Sequence, residues 1–334
     1  MKIAAIGRSG ATYNAIRQLS LAGHHIVGIQ TDVGYPEYDR QVHDFEVLAS
    51  ELGARFRVAK STNDPATLDW LLLLQADLGV SVNWRSLISA QACHAVGGRI
   101  LNAHLGDLPR FRGNATPNWA ILSGESSIAL TIHEMTAELD GGPVWRRTHM
   151  EIGPGTRLGD IHSWFLEQVG ELFVAAVDAL AKGESATPQQ EDPAESLRCY
   201  PRMAADSHID WRQECSHIER LVRASSEPLP GAYTYFRGQL LRVWRAGLPR
   251  VTPAPFLAIP GQVLSVDQRL GGVLVATGKG ALELLEVQLQ GNSRQRASDL
   301  LSSIRIRLGM DAAQILFEMQ ERIHALEISQ SNDR

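Results

Sequence analysis

The sequence predicts an α/β protein: a mostly parallel sheet with helices on both faces, followed by a second, smaller domain rich in strands. Two observations predict it. Strand-like and helix-like segments alternate through the first 135 residues, and beyond residue 182 the texture changes to short β-type runs broken by Gly and Pro. The length of 334 residues also favours two domains over one. Lys2–Gly7 is an apolar strand ending in the turn Gly7-Arg8-Ser9-Gly10. Thr12–Ala22 then carries Ala15, Ile16 and Leu19 at helical spacing, with Gly23 as its stop. Ile26–Ile29 reads as a strand, Phe45–Leu52 as a helix and Pro65–Gln75 as another. Asp77–Val82 (strand), Ser89–Val96 (helix) and Arg99–Ala103 (strand) continue the alternation, which is that of a Rossmann-like sheet. Ile128–Met135 reads as a strand and Arg157–Leu180 as one or two helices.

Polar composition with Pro188 and Pro193 marks Lys182–Glu195 as a linker. Strand signals follow at Tyr233–Phe236, Leu240–Trp244, Gly261–Val266, Gly272–Thr277 and Ala281–Val287, giving a barrel or sandwich. Asp311–Leu326 reads as an amphipathic helix with Ile315, Met319, Ile323 and Leu326 on one stripe and Asp311 as N-cap. The expected organisation is a first domain at 1–190, a linker at 191–206, a second domain at 207–308 and an extra helix and tail at 309–334.

Composition narrows the function. Three scattered cysteines give no disulfide framework, and neither a C-x-x-C pair nor the His/Cys spacing suggests a metal. Met1–Gly7 is too short an apolar run for a signal peptide, and no stretch of about 18 apolar residues could span a bilayer. A soluble, cytoplasmic protein is expected. The net charge of −5 argues against a dedicated polyanion binder, although residues 201–334 hold 16 basic against 14 acidic side chains.

The chemistry concentrates at one strand end. In Ile100-Leu101-Asn102-Ala103-His104 an apolar strand finishes in two polar residues at i and i+2, which share a face. In such a sheet that face lies in the ligand crevice. The same pair could merely satisfy backbone groups at the strand end. Asp140, in Glu138-Leu139-Asp140-Gly141-Gly142-Pro143, could equally form a turn, but a carboxylate near His104 would fix its tautomer and raise its pKa.

These residues resemble the 10-formyltetrahydrofolate-dependent formyltransferases, close to the branch of methionyl-tRNA formyltransferases and UDP-4-amino-4-deoxy-arabinose formyltransferase. The resemblance rests on Asn102/His104, Leu108-Pro109-Arg110-Phe111-Arg112-Gly113 and Leu139-Asp140-Gly141-Gly142. It continues through Ile209-Asp210-Trp211, Leu221-Val222-Arg223-Ala224, Pro230-Gly231-Ala232-Tyr233 and Val275-Ala276-Thr277-Gly278, covering residues 1–308. It implies an OB-like barrel as the second domain. It also implies a pterin slot lined by Val82, Asn83, Trp84, Arg85, Leu87 and Ile88, with Ala137, Glu138, Leu139 and Asp140 opposite. Trp84 could alternatively be core. Leu105-Gly106-Asp107 stands where the family carries Gly-Ser-Leu, and Thr31–Gln41 is acidic where tRNA formyltransferases carry a basic loop.

The resemblance implies formyl transfer from 10-formyltetrahydrofolate to a primary amine through a tetrahedral intermediate, without a metal. His104 would move the protons, Asn102 would donate to the oxyanion, and Asp140 would orient His104. Asn118-Trp119 resembles the amino-sugar branch, so the expected acceptor is a nucleotide-linked amino sugar, with Arg110, Arg112 and Asn118 as substrate-binding candidates. Methionyl-tRNA is the alternative acceptor, and a non-catalytic nucleic-acid-binding module is a lower one. A dinucleotide oxidoreductase is disfavoured because Gly7–Gly10 lacks the full glycine fingerprint. A homo-oligomer, through the second domain or the last helix, is a further expectation.

Overall fold

The computed structural model describes residues 1–33, 39–189, 196–249, 251, 253–309, 316 and 319–320. The described chain divides into two compact units, Met1–Pro201 and Arg202–Arg334. The first runs β1 (Lys2–Gly7), α1 (Gly10–Leu21), β2 (His25–Thr31), α2 (Val42–Leu52), β3 (Arg55–Val58), α3 (Pro65–Leu73), β4 (Leu78–Val82), α4 (Ala90–Ala95) and β5 (Ile100–Leu105). It continues with β6 (Arg112–Gly113), α5 (Thr116–Ser123), β7 (Ser127–Glu134), β8 (Val144–Glu151), α6 (Leu158–Ala181) and β9 (Arg198–Cys199).

Seven strands form one sheet in the order β3-β2-β1-β4-β5-β7-β8. The first five are parallel, and β7 and β8 add on antiparallel. The strand order reverses beside β1, so the carboxyl ends of β1, β4 and β5 open on the crevice where doubly wound sheets bind ligands. β1 and β4 are apolar and buried because helices cover both faces. One face packs Ile3, Val80 and Leu101 against Ile16, Phe165 and Phe173, and the other packs Ala4, Ile6 and Ile100 against Leu71 and Val96. Asp64 caps α3 by accepting Thr67 N–H at 3.0 Å, and Ser89 caps α4 by accepting Ala92 N–H at 3.2 Å. α1 and α6 pack closely at Gly170, where a Cβ would lie 2.5 Å from Gln18 Cγ.

Sequence patterning misses β3 and β8 of the large sheet, the two-residue strands β6 and β9, and helix α5. β3 (RFRV) is a short sheet edge, and in β8 (VWRRTHME) only Trp145 is buried among polar and charged residues, so neither shows an apolar run. Arg157–Leu180 is one helix, begun where Asp160 accepts the N–H of Arg157 at 2.8 Å. The compositional linker needs correction at its start. Thr187 bridges Val144 and Gln189 bonds the loop around Asp140, so these polar residues belong to the first unit. β9 pairs with β6, and the first unit reaches Pro201.

The second unit contains α7 (Cys215–Ala224), β10 (Ala232–Phe236), β11 (Gln239–Gly247), β12 (Val263–Val266), β13 (Val273–Ala276), β14 (Ala281–Leu289), β15 (Gln295–Arg296) and α8 (Ala297–Leu300). Its strands form an antiparallel sheet ordered β10-β11-β14-β13-β12, with β15 on β14. Alternation is clean in β10, where Ala232, Thr234 and Phe236 face inward. Of the stripe expected at 311–326, only Met319 falls among the described residues, and it is exposed; the rest lies outside them. No helix among the described residues is long and apolar enough to cross a membrane.

Candidate active site

β5 and β7 bring the predicted trio together. In the antiparallel register Asn102 stands opposite His133 and His104 opposite Thr131. Asn102 Nδ2 lies 3.2 Å from His133 Nε2. His104 is buried, with Nε2 2.6 Å from the carbonyl of Phe111 and Nδ1 3.7 Å from Asp140 Oδ2. A carbonyl only accepts, so Nε2 carries the proton. The turn that follows is pinned from below, where Thr131 Oγ1 donates to Gly106 O at 2.8 Å and the Thr116 hydroxyl donates to Leu105 O. Gly106 itself has a steric reason. A Cβ there would sit 2.6 Å from His104 Nε2 and 2.5 Å from Phe111 O.

Asp140 occupies the left-handed region at φ +49°, which suits Asp better than a bulky residue. Its Oδ2 accepts the Gly113 N–H at 2.8 Å, and its backbone carbonyl accepts Gln189 Nε2 at 2.8 Å. Arg112 ties the same loop down by pairing with Glu138 and by donating to Gln189 Oε1 at 2.9 Å. The carboxylate is thus held between two histidines, its Oδ1 lying 3.7 Å from His133 Nε2.

Sequence reasoning missed His133. Its signal resembles that of Asn102, a polar residue ending an apolar strand, but its meaning depends on a cross-strand register that one sequence does not reveal. Its Nδ1 is 2.9 Å from the carbonyl of Glu134. Burial first, and then the nearby His104, lower its pKa from the usual 6.5 to about 4.

The β4–α4 loop carries most of the residues implied for the pterin slot. Val82 packs into the core with 1% of its surface exposed. Asn83, at φ +53°, donates to Ser9 Oγ at 3.1 Å. Trp84 and Ile88 pack on the cluster around Ile6 and Val96. The indole Nε1 of Trp84 and the hydroxyl of Ser86 are buried without a hydrogen-bond partner among the described residues. Arg85 pairs with the buried Asp32 at 2.9 Å, and Leu87 is exposed. Across the crevice Ala137 and Glu138 are exposed and Leu139 is half-buried.

The three acceptor-side candidates are already engaged or buried. Arg110 pairs with Glu125 at 2.9 Å, Arg112 is committed to Glu138 and Gln189, and Asn118 is buried in the first turn of α5. Asp107, the acid new to this turn, pairs with Arg147 at 2.7 Å.

The first unit is thus a doubly wound sheet that brings Asn102, His104 and Asp140 together, and the second is an antiparallel sheet domain. The chain belongs to the formyl transferase family: the family description "Formyl transferase" matches residues 1–177, and "Formyl transferase, C-terminal domain" matches 203–305. A methionyl-tRNA formyltransferase of Chloroflexus aurantiacus is 30% identical over 315 residues, covering 92% of this chain and all of the relative. A methionyl-tRNA formyltransferase of Geobacter metallireducens is 30% identical over 79% of this chain and 82% of its own. Among solved structures, the sugar 3N-formyl transferase WlaRD shares the fold with a TM-score of 0.63 at 13% identity, covering 88% of this chain and 99% of its own. HypX of Aquifex aeolicus, solved with tetrahydrofolic acid, gives a TM-score of 0.59 at 21% identity over 90% of this chain. The chain spans 47% of the HypX chain.

Proposed function

We propose that the chain transfers the formyl group of 10-formyltetrahydrofolate to a primary amine, using Asn102, His104 and Asp140. The observation that carries this reading is the convergence of the three at one strand end, with a proton held on His104 Nε2 and a carboxylate 3.7 Å from Nδ1. The β4–α4 loop suits the folate, because the unpartnered N–H of Trp84 and hydroxyl of Ser86 offer polar contacts beside the apolar Ile88. Bound there, the folate supplies the formyl group. His104 takes a proton from the attacking amine, becoming the cation that faces Asp140, and gives one to the leaving nitrogen, so the ring ends neutral as it began, a role worth about 10²–10⁴-fold. Asn102 donates an N–H to the oxygen that becomes negative, where losing one donor costs roughly 3–4 kcal/mol. Asp140, held by Gly113 N–H, stabilises the charge that His104 acquires.

For the acceptor we adopt methionyl-tRNA. Support comes from relatives of that name that match nearly the whole chain, second domain included. The expected nucleotide-linked amino sugar loses its physical handle, since Arg110 and Arg112 are both paired with carboxylates. The acidity of Thr31–Gln41 keeps the sugar as a second reading, because Asp32 and Arg40 there are both in ion pairs and add no free basic charge. The test is tetrahydrofolate release with 10-formyltetrahydrofolate and either methionyl initiator tRNA or an amino-sugar nucleotide. With tRNA making 6–10 phosphate contacts, affinity falls roughly 10³–10⁵-fold between 50 and 200 mM salt. Turnover of the sugar alone, with a shallow salt dependence, would reverse the choice of acceptor.

A further inference from the structure

We propose that His133 is a positioning residue for formyl transfer, whose Nε2 lone pair keeps the amide nitrogen of Asn102, rather than its carbonyl oxygen, at the trio. The argument is one of donors and acceptors. His133 Nδ1 faces the carbonyl of Glu134 at 2.9 Å, so in the neutral ring Nδ1 bears the proton and Nε2 is bare. A bare Nε2 at 3.2 Å can only accept, so it selects the Nδ2 edge of Asn102. The reverse orientation would set the Oδ1 lone pairs against that of Nε2 in a buried site, with both groups unsatisfied. One N–H of Nδ2 is spent on His133, and the other remains for the oxygen that gains charge.

Neutrality of the ring matters equally. Four groups bear on it: His104 from β5, with ring centroids 6.2 Å apart, Asp140 from its loop, Arg112 from β6, and the Glu134 carbonyl of its own strand. Burial, His104 and Arg112 all disfavour a charge on His133, and Asp140 alone among the side chains favours one. A charged His133 would compete with His104 for Asp140 and would turn its Nε2 into a donor facing the Asn102 amide. The neutral ring leaves the carboxylate to His104.

This inference rests on the formyl-transfer reading, and the experiment separates the two. Kinetics with 10-formyltetrahydrofolate and whichever acceptor turns over would compare His133→Phe, which removes both ring nitrogens, with His133→Gln, which restores an acceptor. His133→Phe is expected to lower kcat about 10- to 100-fold in the parent while leaving KM for the folate within about twofold. In an Asn102→Ala background the same change should cost nothing further, and His133→Gln should recover most of the rate. Equal losses in both backgrounds, or an unaffected kcat, would overturn the proposal. If the parent turns over neither acceptor, the formyl-transfer reading fails, and ¹⁵N NMR of the intact chain decides on His133. An Nδ1–H tautomer, with Asn102 amide resonances that shift in His133→Phe, upholds the coupling; an Nε2–H tautomer overturns it.

Discussion

Two neighbouring regions along one edge of the same sheet differ in how their polar groups are answered. In the β5–β7 region each functional atom has a partner within the first unit: His104 on Phe111 O, Asn102 on His133, Asp140 on Gly113 N–H. In the β4–α4 region Trp84 Nε1 and Ser86 Oγ are buried with none among the described residues, and Leu87 stands exposed. The first region is preorganised, so its dipoles need little reorientation when charge develops. The second carries an unmet cost that a ligand can remove. On the proposed reading, the difference separates the region assigned to chemistry from the region assigned to binding.

The sharpest break of this contrast is His104→Ala. We expect kcat to fall about 10²–10⁴-fold with the thermal midpoint nearly unchanged, and adding Asp140→Ala to cost less than the product of the single losses. Steady-state kinetics with calorimetry checks both. Gly106→Ala should come next. Its Cβ would press on both His104 Nε2 and the Phe111 carbonyl, and the latter is backbone that cannot swing aside. A kcat loss of roughly 10- to 100-fold with about 1–3 kcal/mol of destabilisation is expected. A fully active, equally stable variant would mean that the ring is not held where the reaction needs it.

That contrast was unevenly legible in the sequence. Asn102 and His104 stood out because two polar residues at a spacing of two end an otherwise apolar strand, a local pattern. The alternation from β1 to β5, apart from the short edge strand β3, was likewise readable from local patterning. His133 was not, because its role comes from pairing with β5 across a register set by tertiary packing. Arg110 and Arg112 looked like anion binders in sequence, but their carboxylate partners lie 15 and 26 residues away. Gln189 was masked by its setting in a polar stretch, where composition suggested a linker.

A smaller effect concerns pH. The folded pKa of His133 is lowered from 6.5 to about 4, chiefly by burial, so between those values the unfolded chain binds more protons than the folded one. Stability from this group is therefore complete above about pH 6.5 and is lost as pH falls towards 4, on the order of 1 kcal/mol per unit. Urea midpoints at pH 7 and pH 5 should diverge less in His133→Phe than in the parent. Equal divergence would place the acid sensitivity in other groups and remove the preorganised region's distinctive pH signature.

The smallest effect tests the binding region. Trp84 packs its ring on the cluster with Ile6 and Val96 while leaving Nε1 buried and unpartnered. A Trp kept only for packing gains nothing from that N–H, which costs free energy wherever it is buried unpaired. Trp84→Phe retains an aromatic ring and removes the donor, so stability should stay level or rise slightly. If the N–H serves the folate, KM for 10-formyltetrahydrofolate should rise about 3- to 10-fold, the worth of one hydrogen bond of roughly 1 kcal/mol, while kcat stays unchanged. A fall in kcat would mean that the slot and the trio are not energetically separate. An unchanged KM with a lowered melting temperature would make Trp84 a packing residue, and the contrast between the two regions would then rest on Ser86 alone.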